Sequence, residues 1–125
     1  MQRFSVIGGG HVGRVFGRLW AGSVFDLQDV LARSLPSAQQ AVAFIGAGTA
    51  QDAYAALRAA DIYLLSVSDD QIVPACAALA ASVPLQGAIV FHCSGALASD
   101  RLLAARAAGA HVASVHPILS FADPA

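Results

Sequence analysis

Charge is scarce in this sequence: only 12% of its 125 residues are Asp, Glu, Lys or Arg, and the formal net charge is −1 at pH 7. Binding to a nucleic-acid backbone draws on a basic surface, so this balance offers no electrostatic case for a nucleic-acid partner. Cysteine is scarcer still. Cys76 and Cys93 stand far apart, without C-x-x-C or His/Cys metal spacing, which argues against a disulfide framework and against a metal site. A reducing cytoplasm is the default compartment. No long apolar segment replaces these features: after Arg3 the chain enters a four-residue apolar strand, too short for a secretory signal. Residues 71–91 carry no charge, yet Pro74, Pro84, Gln86 and Gly87 divide them into a helix and a strand, so no membrane span is expected. Internal repeats and low-complexity runs are also missing.

What is plentiful is apolar surface, at 57% of residues, in a chain long enough for one real core. High apolar content with little charge fits an α/β domain whose central strands are covered on both faces and read as continuous apolar runs. It also predicts exposed apolar area, to be covered by a partner such as a second copy in a homodimer.

The segment Phe4 to Trp20, FSVIGGGHVGRVFGRLW, organises the rest. It reads as a buried strand, a glycine turn and the start of an amphipathic helix, with Val12, Val15, Phe16, Leu19 and Trp20 at helical spacing. Gly8, Gly10 and Gly13 match G-x-G-x-x-G in the strand–turn–helix order that gives this pattern its meaning as a dinucleotide site. The first glycine serves the tight turn, the second the approach of a pyrophosphate, and the third close helix–sheet packing. The N–H groups and dipole of the helix start suit a phosphate anion.

A second strand is predicted over Leu27–Ala32, ending in Arg33-Ser34 before Pro36. The residue about 20 positions beyond the glycine motif contacts the adenosine ribose; an acid there favours NAD and an arginine admits the 2′-phosphate of NADP. Counting from Gly13 reaches Arg33, whose guanidinium offers a fork of donors, with Ser34 adding a hydroxyl. If the strand ends earlier, Asp26 or Asp29 becomes the ribose acid and NAD the cofactor.

Further along, Ser37 to Phe44 reads as a short helix, Gly46 to Thr49 as a turn or third strand, and Ala50, Ala53, Tyr54 and Leu57 as another helical stripe. Ile62–Val67 is a fully buried strand. Ser68 with Gln71 forms a capping-box pattern ahead of a helix with stripe Ile72, Cys76, Leu79 and Val83. Ala88–His92 is a fifth strand. Ser99-Asp100 caps a helix through Ala108 that stops at Gly109, and His111–Val115 is a sixth strand. This alternation predicts a doubly wound, mostly parallel sheet with a single layer of helices on each face, forming one domain over residues 1–125.

Such sheets bind ligands beyond the carboxyl ends of their strands. Val67, Ser68 and Asp69 then border the nicotinamide half of a dinucleotide, and Gly95 lets the chain approach it. Ser94 and His116 are the candidate catalytic pair for hydride transfer: a histidine can exchange the hydroxyl proton and a serine can orient the same oxygen. Spacing alone leaves both open to being ordinary turn residues, while His92 reads as structural.

The glycine loop, Arg33-Ser34, LLSVSDDQI and, most specifically, FHCSGAL with SVHPILSFADP resemble a bacterial family. Its members have a Rossmann-like NADP-binding domain followed by a helical domain of unknown function. More distantly the chain resembles deazaflavin-dependent NADP oxidoreductases, pyrroline carboxylate reductases, β-hydroxyacid dehydrogenases and prephenate dehydrogenases. The resemblance implies that Gly8, Gly10, His11, Val12 and Gly13 hold the pyrophosphate and that Arg33 with Ser34 holds the adenosine phosphate. Prephenate dehydrogenases also place a serine and an H-P histidine around the substrate, which draws Ser94 and His116 toward such a role. The relatives' helical domain is absent from these 125 residues. The expectation is the NADP-binding part of an oxidoreductase acting on an unidentified small organic substrate, with NAD as the alternative cofactor. A nucleotide-sensing module without turnover is the alternative function.

Overall fold

The computed structural model describes residues 2–8, 25–92 and 102–114. Within them the chain runs β1 (Gln2–Ile7), β2 (Phe25–Leu31), α1 (Leu35–Ile45), β3 (Thr49–Gln51), β4 (Ile62–Leu65), α2 (Ile72–Ser82), β5 (Ile89–His92), α3 (Leu103–Ala107) and β6 (His111–Ser114). One-turn 3-10 helices at Tyr54–Ala56 and Asp69–Gln71 precede β4 and α2. The six strands form one sheet in the order β3-β2-β1-β4-β5-β6, and every pairing is parallel. This is the doubly wound Rossmann arrangement, with the reversal of strand order at the β1–β4 boundary.

Strand periodicity sorts the core into two layers. On one face Phe4, Val6, Ile62, Leu64 and Phe91 pack with Ala41 and Ile45 of α1. On the other, Ile7, Tyr63, Leu65 and Val90 pack with Ile72, Cys76 and Leu79 of α2 and Ala105 of α3. Successive side chains of a strand point to opposite faces, and both faces are covered here, which is why β4 reads as an unbroken apolar run. The α2 stripe of Ile72, Cys76, Leu79 and Val83 is buried as its spacing predicts.

The β2 strand breaks this alternation. Phe4 pairs with Leu27 and Val6 with Val30, so Gln28 and Asp29 together oppose Ser5 in a β-bulge. Leu27 and Val30, three apart, consequently share a face. The bulge accommodates a fully buried carboxylate: Asp29 Oδ2 accepts from the Arg58 backbone N–H at 3.0 Å, and Oδ1 accepts from Arg58 Nη2 at 2.9 Å and Gln51 Nε2 at 3.4 Å.

Three local expectations are corrected. Ala50, Ala53, Tyr54 and Leu57 do not form an α-helical stripe, since Ala50 lies in β3 and the rest belong to the 3-10 turn and its flanks. Backbone N–H groups that a helix would satisfy internally are taken instead by Asp29, at Arg58, and by the Tyr63 hydroxyl, which accepts from Ala60 at 2.7 Å. Helix α1 starts at Leu35, earlier than expected, because Ser34 caps it and Pro lies in its first turn. Helix α3 is only five residues, while the expected cap at Ser99-Asp100 lies outside the described residues. Among the described residues no helix is long and apolar enough to cross a membrane.

Candidate functional site

The carboxyl ends of β1, β2, β3 and β4 converge on one cleft of about 580 Å³. Its floor is Ile7 and Gly8 from β1; one wall is Leu31, Ala32, Arg33 and Ser37, and the other is Ser66, Val67, Ser68 and Gln71 with Pro74, Ala75 and Ala78 of α2. Asp52 and Tyr54, just beyond β3, complete the lining. A cleft at the point where strand order reverses is where open parallel sheets receive ligands.

Gly8 is fixed there by its surroundings on both sides. Its N–H donates to the Leu31 carbonyl at 2.6 Å, and the neighbouring Ile7 carbonyl accepts from the Ser66 N–H at 2.7 Å. Its φ is +104°, and a Cβ at this position would sit 2.7 Å from the Ser66 carbonyl carbon and 2.9 Å from Val67 Cγ1. Glycine is thus demanded by the approach of the β4 end as well as by the turn.

Of the expected cofactor residues, Gly8, Arg33, Val67 and Ser68 line the cleft. Arg33 is exposed, directly after the carboxyl end of β2. Asp29 and Asp26, the acidic alternatives, are placed otherwise. Asp26 lies at the amino end of β2, and Asp29 is consumed by Arg58 inside the sheet. Ser34 does not line the cleft. Its hydroxyl accepts from the Ser37 N–H at 3.3 Å as the cap of α1 and donates to Ser37 Oγ at 3.1 Å, and it is Ser37 that faces the cavity.

The Ser68–Gln71 segment departs from the expected capping box. Asp69–Gln71 is a 3-10 turn, the Gln71 N–H donates to the Ser68 carbonyl at 2.8 Å, and α2 begins without a side-chain cap. The Ser68 side chain serves Asp70 instead. Its hydrogen bond is the main cause holding the Asp70 carboxyl below the usual carboxylate range, with the Asp70 N–H, Gln71 and the charge of Arg33 adding to it. Asp69 opens the turn. Sequence spacing pointed to Ser68 and Asp69 but missed Ser37, Asp52, Tyr54 and Gln71. Ser37 was signalled by the Ser34-x-Pro-Ser cap; Asp52 and Tyr54 had no motif, because only the short β3 strand brings them to this edge.

Tyr54 is half-buried, and desolvation, with a smaller contribution from nearby Cys76, raises its phenol above the ordinary tyrosine value. At neutral pH it is a neutral hydrogen-bond donor. Buried Cys76 is likewise raised by desolvation, which keeps the thiol protonated and unreactive. His92 closes β5 fully buried, as a structural histidine would. Among the described residues no cluster of His, Cys, Asp or Glu could hold a metal ion. Gly10, His11, Val12, Gly13, Ser94, Gly95 and His116 lie outside the described residues.

No protein-family model and no curated protein matches the chain. Solved structures do. The chain is similar to a proposed NADP oxidoreductase from Bacteroides fragilis at 16% identity and TM-score 0.80, covering 96% of this chain and 45% of that one. It is similar to a prephenate dehydrogenase from A. aeolicus solved with hydroxyphenyl propionate and NAD+, at 20% identity and TM-score 0.73, covering 94% and 42%. An imine reductase variant from Myxococcus stipitatus, solved with NAD+, gives 20% identity and TM-score 0.67, covering 90% and 39%. The chain thus spans less than half the length of each of these proteins. At such identities the likeness establishes the fold.

Proposed function

We propose that this chain is the dinucleotide-binding part of an NADP-preferring oxidoreductase that moves a hydride to or from a small organic substrate. The observation that carries the proposal is the cleft itself. It combines a glycine floor at the end of β1 with Arg33 and Ser37 on the wall beyond β2. A guanidinium and a hydroxyl at that position suit a 2′-phosphate, and the two acids of β2 are placed elsewhere, Asp26 at the amino end and Asp29 on Arg58. The B. fragilis, A. aeolicus and M. stipitatus proteins, named for NADP or solved with NAD+, support a nicotinamide dinucleotide as the ligand class.

Hydride transfer in this reading uses Ser94, Gly95 and His116. Strands β5 and β6 run parallel to β4 and end at His92 and Ser114, so the chain leaves both on the same edge of the sheet as Gly8. His116 exchanges the substrate hydroxyl proton and Ser94 orients that oxygen, while Gly8, Gly10, His11, Val12 and Gly13 hold the pyrophosphate. The bound nicotinamide supplies or accepts the hydride.

Thermal unfolding with and without NADPH tests the reading, because a ligand that binds only the folded state raises the melting temperature. Saturating NADPH should stabilise the chain, and NADH should do so less. In Arg33→Ala the advantage of NADPH over NADH should fall by about 10- to 100-fold in Kd, the loss of roughly 1.5 to 3 kcal/mol of charge-assisted bonding. No shift at millimolar NADPH would refute dinucleotide binding. An unchanged preference in Arg33→Ala would refute the phosphate assignment alone.

A further inference from the structure

The cleft has electrical polarity. Arg33 stands on one wall and Asp52 on another, and both side chains are exposed. A carboxylate repels a phosphate, so the part of a dinucleotide suited to Asp52 is one that donates hydrogen bonds. Among the described residues Asp52 makes no ion pair and no side-chain hydrogen bond, and the Tyr54 hydroxyl likewise has no hydrogen-bond partner. Tyr54 is held in place by its turn and packs against the core layer that contains Cys76. Among the described residues the site therefore presents an acceptor and a donor without protein partners two residues apart, beside the end of β2 where the adenosine half of the ligand would sit.

Resting on the dinucleotide reading above, we propose that Asp52 and Tyr54 are specificity residues that read the adenine edge. The Asp52 carboxylate accepts from the exocyclic N6 amino group, and the Tyr54 hydroxyl donates to N1. Desolvation keeps the phenol protonated, which makes it a donor throughout the neutral range. The pair complements adenine and opposes hypoxanthine. In hypoxanthine the amino group becomes a carbonyl oxygen facing the carboxylate, while the rotatable phenol can accept from N1–H as readily as it donates to adenine N1, so the carboxylate carries the opposition.

The test compares Kd for NADPH with Kd for its hypoxanthine analogue, reduced nicotinamide hypoxanthine dinucleotide phosphate, by fluorescence titration of the full chain. The wild-type chain should prefer adenine by about 10-fold or more, the discrimination of one well-made base-edge pair. In Asp52→Asn, whose amide can turn either way, the preference should collapse toward equality. Tyr54→Phe keeps the ring and its packing and should weaken both dinucleotides with little change in their ratio. Both variants should melt like the wild type in the absence of ligand, which separates recognition from folding. Equal binding of the two dinucleotides by the wild-type chain, or an unchanged ratio in Asp52→Asn, would overturn the adenine assignment while leaving the dinucleotide reading intact. Failure of both dinucleotides to bind would overturn both.

Discussion

Replacing Gly8 by alanine separates two costs that usually arrive together. The backbone at Gly8 has φ +104°, and a Cβ there would meet the Ser66 carbonyl group and Val67 Cγ1, at 2.7 Å from the carbonyl carbon and 2.9 Å from the methyl. Strain from placing an L side chain in that conformation is about 1 to 3 kcal/mol. Forcing a methyl into occupied space adds about 1 to 3 kcal/mol, because the nearest obstacle, the Ser66 carbonyl, is backbone and cannot rotate away. Gly46 is the control. It closes α1 at φ +85° with nothing within 4 Å of where an alanine methyl would stand, so Gly46→Ala feels the conformational cost alone. Against a total stability of about 5 to 15 kcal/mol, Gly8→Ala should lose about 2 to 6 kcal/mol and Gly46→Ala about 1 to 3. For a domain of this size each kcal/mol moves Tm by roughly 3 to 6 °C, so thermal melts followed by circular dichroism resolve the difference. Equal losses in the two variants would refute the contact between the β1 and β4 ends.

The remaining predictions concern the buried carboxylate and the alkaline limb. Asp29→Asn keeps the shape but removes the charge that Arg58 bonds at 2.9 Å. Because Arg58 is more than half exposed and can rehydrate, the expected loss is at the low end of charged hydrogen bonding, about 1 to 2 kcal/mol by urea denaturation, and a change below about 0.5 would refute its structural weight. Cys76, Tyr54 and Tyr63 are all raised, chiefly by desolvation, above ordinary values of 9.0, 10.0 and 10.0. The unfolded chain therefore releases these protons first as pH rises, so stability is intact below about pH 9 and falls above it. A urea midpoint that holds constant from pH 8 to pH 10.5 would contradict this, and Cys76→Ala should delay the onset.

The legible parts of the sequence were those where one physical rule acted alone. Strand β4 and the α2 stripe declared themselves through burial on both faces and helical spacing, and the glycine pattern placed Gly8 at the end of β1. Arg33 could be found by counting from the glycine pattern, and it follows directly on the carboxyl end of β2. Legibility failed where distant groups override local preference. The alanine-rich stretch around Tyr54 has good helix formers, yet Asp29, 29 residues away, captures the Arg58 N–H, and Tyr63 of the following strand captures that of Ala60. Ser68 and Gln71 have capping spacing, but Asp70 competes for the Ser68 side chain. Nothing local marks Asp52 and Tyr54 as cleft residues either. They acquire that position only when β3 pairs with β2 at Asp29–Thr49.

The same carboxylate connects the fold to the cleft. With period-two alternation, one extra residue in β2 moves every later side chain to the opposite face. The bulge at Gln28 and Asp29 puts Val30 in the α1 layer and Leu31 in the layer beneath the cleft, where Leu31 forms part of the wall leading to Arg33. A regular strand would reverse these two residues and turn Leu31, the residue before Ala32, away from the cleft. A bulge that buries a carboxylate is stable only if that carboxylate is bonded. Arg58 and Gln51 supply those bonds from the connection and strand that also carry Asp52 and Tyr54. The polar cluster around Asp29 therefore sets the direction of β2 and ties β3 to it, so that two walls of the cleft depend on one buried side chain that is not part of its lining.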